Sequence, residues 1–239
     1  MRICSLFVSV LFMLGLQTVN AQEAPPFKGE AEAGAVVVSG NTKSESYAAK
    51  AKATYTHEAN VYSLFGHYLE TAANGIPSAK NWDLGVRYER ALSEHFSIYV
   101  GQKSESDTFA GYVQRDSSDI GLKYFIIKHD DRNWFTEAGY RYSKTLGVSG
   151  DDSYDNFGRF YTEYNQAFDK TLSFRYWAEY LPNFTEHDAY LANTEASLNV
   201  MLNSIFSLKF AYLLQYQNVA PATGEYTDTT TMMTLVAKF

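Results

Sequence analysis

Apolar and polar residues alternate with a period of two along nearly the whole chain. "FKGEAEAGAVVVSG" sets Ala31, Ala33, Ala35 and Val37 on one face against Glu30 and Glu32, and "SYAAKAKATYTH" sets Tyr47, Ala49, Ala51, Ala53 and Tyr55 against Lys50 and Lys52. "NWDLGVRYERAL" places Trp82, Leu84, Val86 and Tyr88 against Asp83, Arg87 and Glu89, and "DIGLKYFIIK" places Ile120, Leu122, Tyr124 and Ile126 against Asp119 and Lys123. "NWFTEAGYRYSK" and "KTLSFRYWAEYL" repeat the pattern, as do "AYLANTEASLNVML" and "SIFSLKFAYLLQYQ". The chain closes in the same way with "TDTTTMMTLVAKF". A period of two belongs to strands, because successive side chains leave opposite faces of the ribbon. With further strands near 60–70, 95–105 and 156–167, the pattern predicts about twelve strands and no long helix after Gln22.

The connections divide into two kinds. "HEAN", "ALSE", "KHDDRN", "FDK" and "LNS" are short; they alternate with mostly longer joints such as "TAANGIPSAK", "SDTFAGYVQRDSS", "LGVSGDDSYDN" and "NVAPATGEYTD". Tight turns at one end and longer loops at the other are the pattern of an outer-membrane barrel, with the tight turns facing the periplasm. The expected fold is therefore all-β, a transmembrane antiparallel up-and-down barrel of about twelve strands. The N-terminus agrees. "MRICSLFVSVLFMLGLQTVNA" has one Arg, an apolar run from Ile3 to Leu16 and small residues before a cleavage point. Residues 1–21 read as a signal peptide for export by the Sec route, leaving residues 22–239 as the outer-membrane barrel. The lone cysteine, Cys4, lies in that leader, so the mature chain uses no disulfide.

Composition sharpens this picture. Aromatics make up 16% of the chain, with 19 Tyr and 16 Phe, which suits strands that are greasy on one side and wet on the other. Phe239, Trp134, Phe96, Tyr88 and Phe206 fall near the short-turn ends, and Trp82, Tyr142, Tyr180, Tyr190 and Tyr216 near the long-loop ends. These are the positions of interfacial girdles. The leader contains one of the 20 basic residues and none of the 27 acidic ones, so the mature chain is acidic and has no basic stripe for nucleic acid.

If the apolar face meets lipid, the charges fill the lumen, and opposite signs should face each other across each hairpin. One register near Asp169 pairs Glu163 with Arg175 and Arg159 with Glu179. One register near Asp130 pairs Lys123 with Glu137 and Asp119 with Arg141. Similar reasoning sets Glu195 against Lys209, Asp83 against Lys103 and, across the closing seam, Lys238 against Glu30. These pairs either close a narrow lumen or line a route for a small polar solute. Charges of both signs disfavour strong ion selectivity and lack the arginine rows expected of an acidic-sugar channel.

"VVVSGNTKSESYAAKAKATY" contains a small-residue strand, the turn Ser39-Gly40-Asn41-Thr42 and a Tyr/Ala-rich returning strand. Together with "IGLKYFI" and "EAGYRYS", it resembles the salt-induced outer-membrane protein (YdiY-like) family, a domain of unknown function. The resemblance spans the mature chain and implies location and fold, with salt induction implied only by the family's name. It supplies no site residues. Gly40 and Asn41 are expected to form a positive-φ hairpin turn. The terminal Phe239 is similar to the signal read by the outer-membrane insertion machinery.

Catalytic chemistry finds little footing. Among His57, His67, His95, His129 and His187 only His67 is mid-strand, and His95 with Ser97 would face inward at the wrong membrane end for a lipid hydrolase. The acidic residues Asp107, Asp116, Asp151, Asp152, Asp155, Glu186, Asp188, Glu225 and Asp228 sit in outer loops without a calcium-loop spacing. They read as solvated, or as cation bridges to lipopolysaccharide phosphates. The expectation is a non-enzymatic monomer with no cofactor or metal. Its partners would be outer-membrane lipid, lipopolysaccharide, the insertion machinery and, if the lumen conducts, a small polar solute.

Overall fold

The computed structural model describes residues 26–38, 44–219 and 226–239. The leader, the Gly40–Asn41 turn and Glu225 lie outside these residues. The strands are β1 (Phe27–Val38), β2 (Ser44–His57), β3 (Asn60–Ala73), β4 (Ile76–Ala91), β5 (Phe96–Asp107) and β6 (Tyr112–Lys128). They continue as β7 (Arg132–Gly147), β8 (Asp152–Ala167), β9 (Leu172–Pro182), β10 (Tyr190–Met201), β11 (Phe206–Gln217) and β12 (Thr227–Lys238). Each strand pairs antiparallel with its sequence neighbours, and β1 closes on β12, giving a twelve-stranded up-and-down barrel without a free edge.

The two faces separate as the alternation requires. Leu64, Leu84, Val86, Ile98, Val100, Ile120 and Leu122 point outward and are all substantially exposed, an apolar belt that lipid covers. Aromatics gather at its rims. Tyr62 lies between Tyr55 and Tyr88 (centroids 6.3 and 5.2 Å), and Phe96 meets Tyr124 at 4.8 Å, all near the short turns. At the other rim Tyr190 lies between Tyr180 and Tyr216, at 5.5 and 5.7 Å.

The longer joints of the sequence are only partly loops. "TAANGIPSAK" is almost all strand: β3 and β4 run on to a two-residue turn, Asn74-Gly75, in which both residues have positive φ (53° and 79°). Asn-Gly adopts this conformation readily, and its twist matches the strands. Residues 106–118 likewise form the ends of β5 and β6 around a short turn. The asymmetry between the two ends therefore lies in hairpins that outrun the roughly 9–11 residues a span needs.

Register differs from the expected one in three hairpins, for a single physical reason. The β8–β9 turn is closed by Phe168 N donating to Leu172 O at 2.9 Å, and Asp169 Oδ1 accepts from the backbone N–H of Thr171 (2.6 Å) and Leu172 (2.8 Å). The turn centre moves by one residue, so Glu163 faces Trp177 and Arg175 faces Asn165. Asn203 builds the same turn between β10 and β11, placing Lys209 opposite Asn199 and Glu195 opposite Leu213. Ser93 does so between β4 and β5, where Asp83 faces Glu105 and Lys103 faces Gly85. In the β6–β7 hairpin Lys123 faces Glu137 and Asp119 faces Arg141, as does Glu30 with Lys238 at the seam. There a bulge between Phe125 and Ile127 offsets the turn.

Candidate functional site

The inward faces of β4 to β9 carry a connected charge network. Arg159 is its hub, donating from Nη1 to Glu137 Oε2 at 2.6 Å and to the Tyr99 hydroxyl at 2.9 Å, and from Nε to Glu179 Oε1 at 2.7 Å. Arg141 holds Asp119 by two bonds, at 2.6 and 2.8 Å, and reaches Glu179 at 3.5 Å. From β4, three strands from β7, Arg87 donates to Glu137 Oε1 at 2.7 Å and lies over the Tyr99 ring, with Cζ 3.8 Å from its centroid. Glu89 then takes Arg87 at 3.3 Å and Lys123 at 3.1 Å. Tyr99 is 1% exposed, Glu137 3% and Arg159 7%, so this part of the lumen is packed like a protein core. Buried charges persist only when each is paired and hydrogen-bonded, and here each arginine has at least two acceptors.

Glycine makes room for the central ring. A Cβ on Gly121 or Gly139 would lie 2.6 Å from the Tyr99 hydroxyl oxygen, so the ring can rest against the wall only because two neighbouring inward positions are bare. Toward the short turns an aromatic arc continues the packing. Phe125, Phe135, Tyr161 and Trp177 follow one another at 5.8, 5.9 and 6.0 Å, and Lys123 Nζ stands 4.1 Å above Phe135.

A second chain of charges runs from β8 through β9, β10 and β11 to β1. Glu163 accepts from Arg175 Nη2 at 2.8 Å; Arg175 approaches Glu195 at 3.7 Å, Glu195 meets Lys209 at 3.4 Å, and Lys209 reaches both oxygens of Glu32 at 3.2 Å.

The residues expected to pair are thus distributed as follows. Asp119 with Arg141, Arg159 with Glu179, Glu163 with Arg175, and Glu195 with Lys209 are brought together, the last three diagonally and not face to face, since long side chains span an offset register. Lys123 and Glu137 face each other but exchange partners, Lys123 for Glu89 and Glu137 for Arg159 and Arg87. Asp83 and Lys103 form no ion pair: Asp83 holds His67, which also reaches Asn81, and Lys103 reaches Glu105 at 2.5 Å. Phe239 sits at the seam, its N donating to Gly29 O at 3.0 Å and its O accepting from Gly29 N at 2.6 Å.

Above the network, toward the longer hairpins, lies a cavity of about 150 Å³ with Arg141 and Glu179 in its floor and Lys103, Arg115, Tyr112 and Asp228 among its walls. Catalytic arrangements are missing among the described residues. His95 Nδ1 meets Phe125 O at 3.0 Å, at an exposed turn, and makes no bond to the buried Ser97. The loop acids bond locally: Asp107 caps Phe109 and Ala110, Asp151 takes Ser149, and Asp155 takes Ser153 and Asn183. None of the described residues forms a group that could hold a metal ion. Asp169, at the β8–β9 turn, has its carboxyl held below the ordinary aspartate range by the bonds it accepts from Thr171 and Leu172.

Solved structures of outer-membrane barrels share this architecture. Over 95% of the chain and the whole of the other, the fold is similar to an outer membrane channel from Pseudomonas putida F1, with TM-score 0.54 and 11% identity. Over 89% of the chain and 96% of the other it is similar to the NanC porin, with TM-score 0.51 and 12% identity. In sequence it is 27% identical over 218 residues to the uncharacterized protein YdiY of Escherichia coli K12, covering 90% of this chain and 84% of that one. A family model described as protein of unknown function, DUF481, matches residues 31–239. The chain belongs to that family, whose members are the YdiY-like proteins its strands resemble.

Proposed function

We propose that this chain is an outer-membrane protein of a Gram-negative envelope, with a role in the envelope's response to salt, and that its barrel is a narrow, charge-lined passage for small polar solutes. It performs no catalysis. The observation that carries this reading is the unequal filling of the lumen. The Tyr99–Arg159–Glu137 network packs the β4–β9 side, whereas Lys50 and Lys52, which share a face with the inward Glu32 and His67, remain exposed. An inward lysine that still meets solvent requires water beside β2. A passage so reduced excludes bulky solutes and leaves a route for ions and very small molecules. Surrounding lipid, lipopolysaccharide at the outer rim and the insertion machinery acting on Phe239 are its partners, and the barrel works as a monomer. Export of a leader covering residues 1–21 by the Sec route delivers it.

Purified protein in planar bilayers tests this directly. Small, steady openings in dilute salt are expected. A membrane that stays silent across several salts and voltages would mean a lumen sealed from end to end, leaving a purely structural envelope barrel.

A further inference from the structure

We infer that Lys50 and Lys52 form an anion-binding step in the lumen, so that the passage admits small anions, of halide, phosphate or short carboxylate type, in preference to cations. The inference rests on the narrow-passage reading and adds a sign to it.

Both lysines belong to the inward face of β2. Lys50 is opposite Glu32 on β1 and His67 on β3, and Lys52 is opposite Glu30 and Phe65. Their carboxylate neighbours are already engaged. Glu32 is held by Lys209 through both oxygens at 3.2 Å and by the Thr234 hydroxyl at 3.4 Å, and Glu30 by Lys238 at 3.4 Å. His67, opposite Lys50, holds Asp83 and Asn81. Among the charges in the lumen that act on Lys52 are Glu163, Arg175, Lys123 and Arg87, and three of these are cationic. Glu163, the one acid in that set, is bonded to Arg175 at 2.8 Å, Tyr161 at 2.5 Å and Asn165 at 2.9 Å. Neither lysine has an ion-pair partner among the described residues, yet both meet water. The surrounding acids are committed elsewhere, so an ion beside β2 sees two free ammonium groups.

Position then decides the consequence. A low-dielectric wall focuses the field of the charges that line it, raising the local concentration of the opposite ion. A set of like charges at a constriction selects by sign, and exposed ammonium groups bind weakly enough for the ion to leave again. Chain-wide acidity does not cancel this, because many of the acids belong to the outer hairpins or to the paired network.

The test is the reversal potential of the purified barrel in planar bilayers under a potassium chloride gradient, repeated with sodium phosphate and sodium acetate. The wild type should give an anion-to-cation permeability ratio above unity. In the double variant K50E/K52E the ratio should fall several-fold to below unity, while K50R/K52R keeps its sign and K170Q, in a short turn, leaves it unchanged. Heat-modifiable gel mobility confirms that each variant is folded. Openings with a cation-preferring or non-selective wild type, or a ratio unmoved in folded K50E/K52E, would overturn the anion step alone. A silent wild type would instead remove the passage itself and the anion step with it.

Discussion

The two sides of the lumen use the same residue types to opposite ends. On the β4–β9 side, arginines and acids from different strands meet around Tyr99, and the group is as buried as a protein interior. On the β2 side, Lys50 and Lys52 hold the same inward parity but pair with no acid among the described residues, and they stay wet. The difference shows that facing the lumen does not fix a charge's role. Packing an ion requires converging acceptors and a space shaped to exclude water, and on the first side the bare backbone at Gly121 and Gly139 supplies that shape. Without them a lysine remains a solvated, mobile charge.

Substitutions on each side should divide accordingly. The largest effect is expected from Arg159→Met, which leaves Glu137 and Glu179 short of a partner in a buried site and should cost about 3–5 kcal/mol in reversible urea unfolding in lipid or detergent. A loss below about 1 kcal/mol would mean that the packed side is water-filled after all. Next, Gly139→Val drives a side chain into the Tyr99 hydroxyl and the Ile120 carbonyl oxygen, and should cost about 1–3 kcal/mol by the same measurement. Arg175→Glu, at a pair about a third exposed on the arginine side, should cost about 1–2 kcal/mol, and adding Glu163→Arg should recover roughly half. A double variant no better than the single would show that this bond contributes nothing. On the open side, Lys52→Gln should change stability by less than about 0.5 kcal/mol, so a large loss there would erase the contrast between the two walls. The smallest effect is a pH dependence from Asp169. Its folded pKa is depressed, so its contribution is fully present above the ordinary aspartate value of 3.8 and is lost as pH falls through the lowered one. Asp169→Asn should flatten that acid limb of the unfolding curve.

Strand number, direction and the lipid-facing set were legible in the sequence because they follow from a period of two, which survives any error in the turns. Pairing was less so. Ser93, Asp169 and Asn203 each accept backbone N–H groups two or three residues ahead, and that bond, invisible to the hydrophobic pattern, displaces a register by two or four residues. The charged residues still met, because long side chains tolerate the offset, but partners such as Arg87 and Glu137 are 50 residues apart and touch only because the closed sheet curves β4 toward β7. Tyr99, Arg87, Glu89 and Glu32 were missed for that reason. One signal for Tyr99 was present: glycines at inward positions on the two following strands, where a barrel wall would otherwise carry side chains. Inward aromatics such as Trp177 were hidden among the outward ones.

The seam has a practical corollary for anyone handling the protein. Gly29 exchanges two backbone bonds with Phe239, and a Cβ at Gly29 would overlap the Phe239 ring, so the final residue is clamped into the wall and not left trailing. An affinity tag or fluorescent fusion appended there would have to thread past that clamp. The Ser149–Gly150 hairpin tip, where a Cβ on the positive-φ glycine would touch nothing, is where foreign sequence can be carried.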